Sequence, residues 1–218
     1  MKWITIALFL AFHPLYAEEI DLNSLPAPYN TAHLMPFRLD GWFDGQNEGM
    51  LNHIIPARRV KIVIEVGSWM GLSTHCLAKL IQDDGKVYAV DTFEGTPGEF
   101  HPKETLDTLY DQFLSNVIHA KLTHKIVPIK MESTLAAQSL EIPQADLVYL
   151  DATHEYNDVL ADLRAWYPYV KGHGTLCGDD WAWGADAPVA RAVTQFAKEN
   201  NLTAISYGWF WELQEKNQ

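Results

Sequence analysis

From Lys61 onward, short apolar runs alternate with longer stretches of helical spacing, and no other feature narrows the fold of this chain as much. Strands separated by helices belong to βαβ units, whose strands lie parallel and are covered on both faces. The expected strands are Lys61–Val66, Lys86–Thr92, Lys125–Lys130, Ala145–Leu150 and Thr175–Gly178, and each reads as buried on both sides. Helical spacing runs through Ser73–Gln82, Lys103–Ala120, Thr134–Leu140, Tyr156–Tyr167 and Ala187–Asn200, with Pro188 placed for a first turn. The pattern changes at the end. Leu202–Ser206 and Trp209–Leu213 are separated only by Tyr207 and Gly208, too short for a parallel crossover, so they form an antiparallel hairpin. The expected fold class is α/β: a seven-stranded sheet, mainly parallel, with an antiparallel C-terminal hairpin and helices on both faces.

Composition bears on partners and location. Of 218 residues, 48% are hydrophobic and 20% charged, enough apolar material for one core. Sixteen Lys and Arg against 28 Asp and Glu leave a formal charge of -12 with no basic stripe, which argues against nucleic acid as a partner. At the start, Lys2 precedes the apolar run Trp3–Phe12, and Ala17 is followed by Glu18 and Glu19. This is the grammar of a cleavable signal peptide over residues 1–17, and the run is shorter than the roughly 20 residues of a stable membrane anchor. Export to the periplasm or medium is expected; a buried N-terminal helix in a cytoplasmic protein is the alternative. Residues 18–57 lack a clear period and read as a lid or wrapping segment ahead of a domain at 58–218. Cys76 and Cys177 lie in apolar runs and read as buried thiols, with pairing left open in an exported protein. A homo-oligomer is also left open.

The chemistry begins after the first strand, at Glu65-Val66-Gly67-Ser68-Trp69-Met70-Gly71. Gly67 and Gly71 bracket a turn into a helix, where absent side chains let a ligand approach the backbone and the helix N-terminus offers free N–H groups. The spacing breaks the dinucleotide fingerprint, with Trp69 and Met70 where a pyrophosphate needs open backbone, so a ligand without a diphosphate fits better. Asp91 closes the second strand about 20 residues on, the distance at which a carboxylate holds ribose hydroxyls.

Together with Met131-Glu132-Ser133 and Tyr149-Leu150-Asp151-Ala152-Thr153-His154-Glu155-Tyr156, these residues resemble class I S-adenosylmethionine-dependent methyltransferases. The resemblance is to metal-dependent small-molecule O-methyltransferases of the macrocin and mycinamicin type, and more distantly to catechol O-methyltransferase. It spans Arg58 to Leu213 and implies a Rossmann-like sheet whose seventh strand is antiparallel. It also implies S-adenosyl-L-methionine (SAM) as cofactor. By position, Glu65, Gly67, Ser68 and Gly71 hold the methionine moiety, Asp91 the ribose, and Glu132 and Ser133 the adenine.

Asp151 follows the fourth strand, and Asp179 and Asp180 follow the fifth. On neighbouring strands their ends lie about 5 Å apart, and three carboxylates there repel one another unless a hard dication such as Mg²⁺ lies between them. The related enzymes place a metal this way, which implies Asp151, Asp179 and Asp180 as ligands; the alternative for Asp180 is a turn cap. His154, three residues after Asp151, is the candidate base. The related enzymes of macrocin type carry a histidine at this offset; its alternative role is orienting a metal carboxylate. Thr153 stands where several relatives have an aspartate. Trp181 and Trp183 are candidate walls for an acceptor, and Phe100 and His101 candidate lid residues, while His53, His75, His119 and His124 receive no role.

The expected activity is methyl transfer to a small-molecule hydroxyl. Two readings compete with it: an exported binding protein that kept the fold without turnover, and a nicotinamide-dependent oxidoreductase, which the broken fingerprint opposes.

Overall fold

In the computed structural model, residues 20–96 and 98–216 are described; the expected signal peptide lies outside them. The strands are β1 (Ile62–Val66), β2 (Lys86–Asp91), β3 (Ile126–Lys130), β4 (Ala145–Leu150), β5 (Val170–Gly178), β6 (Leu202–Tyr207) and β7 (Phe210–Glu215). They form one sheet in the order β3-β2-β1-β4-β5-β7-β6. The first five are parallel, whereas β7 runs antiparallel to both β5 and β6. The expected architecture is therefore the observed one.

Strand periodicity explains the apolar runs. On β1, Val63 faces one core and Ile64 the other; on β4, Leu147 and Tyr149 face the first while Val148 and Leu150 face the second. The first core is covered by α1 (Gly45–Ala57), α2 (Leu72–Leu80) and α4 (Leu109–His119). The second is covered by α5 (Ser133–Ser139), α6 (Tyr156–Trp166) and α7 (Pro188–Glu199). Both faces are closed, so every central strand must be apolar on both sides. Among the described residues, no helix is long and apolar enough to cross a membrane.

Three local differences have physical reasons. The segment expected as a lid contains α1, whose Leu51, Ile54 and Ile55 are part of the first core. Asp44 starts this helix by accepting from the N–H groups of Gln46 and Asn47, a cap that the polar, glycine-rich surroundings hid. The stretch 103–120 is two helices, because a short α3 (Lys103–Leu106) ends before Thr108, whose φ of -120° is not helical. The Thr108 hydroxyl donates to the Glu104 carbonyl, a local bond that competes with helix continuation. Strand β5 begins at Val170 rather than Thr175, with an irregular register opposite Ala145 and Leu147. Both cysteines are free thiols, Cys177 buried in β5 and Cys76 half-buried in α2.

Candidate active site

The C-terminal ends of the central strands open into a cavity of about 930 Å³. Most of the anticipated residues line it: Gly67, Ser68, Asp91, Glu132, Ser133, Asp151, His154, Asp179 and Asp180. Two do not, and the reason lies in the β1–α2 turn. Glu65 is fully buried beneath that turn, where its Oε2 accepts from the hydroxyls of Ser68 (2.8 Å) and Thr74. Burial raises its pKa to about 7, against the opposing effect of hydroxyl hydrogen bonds. Gly71, at φ 93°, faces Phe113 and the His75 ring, both 3.2–3.3 Å from where a Cβ would stand, so it meets the core.

Gly67 also serves packing. At φ 91°, a Cβ here would run into the backbone carbonyl of Asp151, so the absent side chain lets the ends of β1 and β4 cross closely. Asp91 locks the same turn: Oδ2 accepts from the N–H groups of Ser68 and Trp69, both at 2.8 Å, and Oδ1 from that of Phe93 at 2.6 Å. A carboxylate has about four acceptor positions, so one stays free for a ligand hydroxyl.

On the adenine side of the expected site, Glu132 is the N-cap of α5, taking the N–H groups of Thr134 (3.0 Å) and Leu135 (2.7 Å). Burial pushes its pKa up, but the N–H donors outweigh burial and hold it low. The Ser133 hydroxyl accepts from Trp166 Nε1 at 2.8 Å and donates to Asp162. Both residues line the cavity while their side-chain oxygens hold the fold together. Asp162 lines it too; its pKa is raised to about 6, mainly by burial. It escaped sequence reasoning because it lies within α6, far from any strand end.

The strand-end carboxylates are electrostatically coupled. Strands β4 and β5 are neighbours, with Leu150 paired to Gly178, so Asp151 and Asp179 leave the sheet side by side. Burial and then the charges of Asp179 and Asp180 raise the Asp151 pKa well above the ordinary carboxylate value. Burial likewise raises Asp179 to about 6, against the backbone N–H that Asp180 donates to its Oδ1 and with the Asp180 charge pushing upward. Asp180 departs from the expected arrangement. Its backbone is left-handed, φ 64°, and its Oδ2 lies 2.9 Å from His154 Nε2. Among the described residues, no group of three or more His, Cys, Asp or Glu side chains is arranged to hold a metal ion. The oxygen-only donor set and its mutual repulsion fit a hard dication in chemistry, and a cage would require Asp180 to leave His154.

His154 lies between two carboxylates, Asp180 at Nε2 and Glu99 at Nδ1 (2.9 Å). Burial alone would lower its pKa, but the hydrogen bond and charge of Asp180, with Glu99, raise it. Trp183 covers the ring, with centroids 4.3 Å apart. Trp181 instead packs against the second core. Of the two candidate lid residues, Phe100 is 91% exposed, and His101 lines the cavity in a cluster with Trp69 and Trp42. Glu99 and Trp42 carry no periodic or motif signal, since both sit in irregular loops.

A model of a methyltransferase domain matches residues 64–181, more than half of the chain and the whole stretch that builds this cavity floor. The chain belongs to the methyltransferase domain family. Its fold is shared by solved structures at low identity. One is the O-methyltransferase TomG from Streptomyces achromogenes, involved in tomaymycin synthesis and solved with SAM: 14% identical, TM-score 0.61, covering 80% of this chain and 82% of that one. Another is an O-methyltransferase from Bacillus cereus in complex with S-adenosylhomocysteine (SAH): 15% identical, TM-score 0.59, covering 84% of each chain. A protein of uncharacterized function from Sinorhizobium fredii, y4gI, is 22% identical over 202 residues; these are 86% of this methyltransferase, which spans 21% of that protein's length. Family membership sets aside the oxidoreductase reading.

Proposed function

We propose that this methyltransferase uses SAM to methylate a hydroxyl of a small molecule, with a divalent cation at Asp151, Asp179 and Asp180 and with His154 accepting the proton. One observation carries the reading: a single cavity brings the Asp91-locked turn, the coupled carboxylates and His154 together. Its volume lies at the upper end of ordinary ligand pockets and suits a donor and an acceptor side by side.

The chain's own residues divide the work. The Ser68–Trp69 turn and the remaining acceptor position of Asp91 suit the donor's polar end, and Met131 and Ala152 supply apolar wall. When bound, the cation would lower the hydroxyl's pKa and neutralise the carboxylates. Trp183 lies over the His154 ring on the acceptor side, and His154 Nε2, released by Asp180, receives the proton. Attack on a sulfonium methyl cancels opposite charges, so placement of the two reactants supplies much of the acceleration.

Calorimetry with SAM and SAH, with and without Mg²⁺, tests the donor site. Wild type binds both, and Asp91→Asn binds them more weakly; no binding by the wild type refutes the proposal. Asp179→Ala and Asp180→Ala are expected to lose Mg²⁺-dependent turnover and calorimetric Mg²⁺ binding while keeping SAH affinity. Unchanged activity in EDTA for both variants shows that the carboxylates serve the fold alone.

A further inference from the structure

Glu99 stands on the loop after β2, between Gly98 and Phe100, and lines the cavity. Its Oε1 lies 2.9 Å from His154 Nδ1, while Oε2 reaches only to 3.8 Å from His101 Nε2. His101 stacks on Trp69 of the glycine turn, with ring centroids 4.8 Å apart, so the loop carrying Glu99 is itself braced against the donor side of the cavity. His154 is thereby held at three places: Glu99 on one ring edge, Asp180 on the other and Trp183 over a face.

An imidazole without an Nδ1 partner can flip its ring and carry its proton on either nitrogen. A carboxylate at Nδ1 stops the flip and, once Asp180 has left Nε2, holds the remaining proton on Nδ1, because only that tautomer donates to it. We infer that Glu99 is a positioning residue for His154, which rests on His154 being the proton acceptor proposed above. Glu99 accepts the Nδ1–H, and when Asp180 releases Nε2, as proposed above, the Nε2 lone pair is left directed to the side where the strand-end carboxylates gather. In the reaction, the acceptor O–H bond breaks and its proton goes to Nε2. The oxygen forms the new O–CH₃ bond as the S–CH₃ bond breaks, and that bond's electron pair remains on sulfur as a neutral thioether. Glu99 touches none of these atoms and acts only through the ring.

The geometry can be tested apart from turnover. Proton–nitrogen correlation NMR on the full chain with ¹⁵N-labelled histidine, with His154→Ala identifying the signals, should show a protected Nδ1–H on His154. Glu99→Gln, which keeps an acceptor oxygen, retains that signal, and Glu99→Ala loses it. An unchanged Nδ1–H in Glu99→Ala overturns the inference. In methyl-transfer assays, Glu99→Ala should lower kcat about 10–100-fold, with acceptor KM and SAH Kd within about twofold of wild type and partial rescue by Glu99→Gln. In a His154→Ala background the same substitution should add no further loss. Equal losses in both backgrounds, or SAH affinity falling in step, make Glu99 merely part of the wall. Failure of the wild type to bind SAH removes the proposed function and leaves the NMR result readable, so the two failures are distinguishable.

Discussion

Gly67→Ala separates two roles for the glycine turn. If the missing side chain only admits a ligand, alanine weakens binding and leaves the fold intact. The structure points to packing: the position has φ 91°, and the added Cβ overlaps the Asp151 backbone carbonyl. A positive φ costs an L-residue about 1–2 kcal/mol, and overpacking a closed site typically costs about 1–3 kcal/mol. Alanine returns about 0.4–1 kcal/mol by restricting the unfolded chain. The net expectation is a loss of about 1–4.5 kcal/mol, large beside the 5–15 kcal/mol that is typical for whole domains. In urea this lowers the midpoint without changing the slope, and in a thermal scan it lowers Tm by about 2–18 °C. Because the clash sits where β1 and β4 leave the sheet, SAH affinity should fall as well. Loss of SAH binding with an unchanged urea midpoint would refute the packing argument and restore the ligand-approach role.

Glu65 makes stability pH-dependent. Its folded pKa of about 7 is above the ordinary 4.5, so between those values the folded state holds a proton that the unfolded chain releases, and its contribution declines as pH rises through that window. Glu65→Gln stays neutral and can still accept from Ser68 and Thr74; urea titrations should show it gaining on wild type by about 3 kcal/mol between pH 4.5 and pH 8. A stability difference that stays constant with pH contradicts this. Ser133→Ala leaves the Trp166 N–H and Asp162 without their shared partner, and a loss of about 1–3 kcal/mol is expected by denaturant unfolding. An unchanged midpoint shows that the relay contributes nothing. Our reading of residues 1–17 as an export signal predicts that mass spectrometry of the periplasmic or secreted protein finds Glu18 at the N-terminus; a cytosolic chain retaining Met1 contradicts it.

What the amino-acid order determined by itself is whatever depends on local period and spacing. Doubly buried strands must be apolar throughout, crossovers need helices, and Tyr207-Gly208 is too short for anything but a hairpin, so the sheet was readable before any contact was known. The strand ends were readable for the same reason, which is how Asp91, Asp151, Asp179 and Asp180 were found. Tertiary structure decided what those side chains touch. Glu65 and Gly71 lie near the cavity in sequence yet turn into the core, Glu132 caps a helix, and Asp180 turns to His154. It also brought Glu99, 55 positions away in the chain, onto His154, and folded α1 against the first core. Such pairings depend on how non-local segments fill space and satisfy one another's hydrogen bonds, and neither condition leaves a periodic trace in the chain.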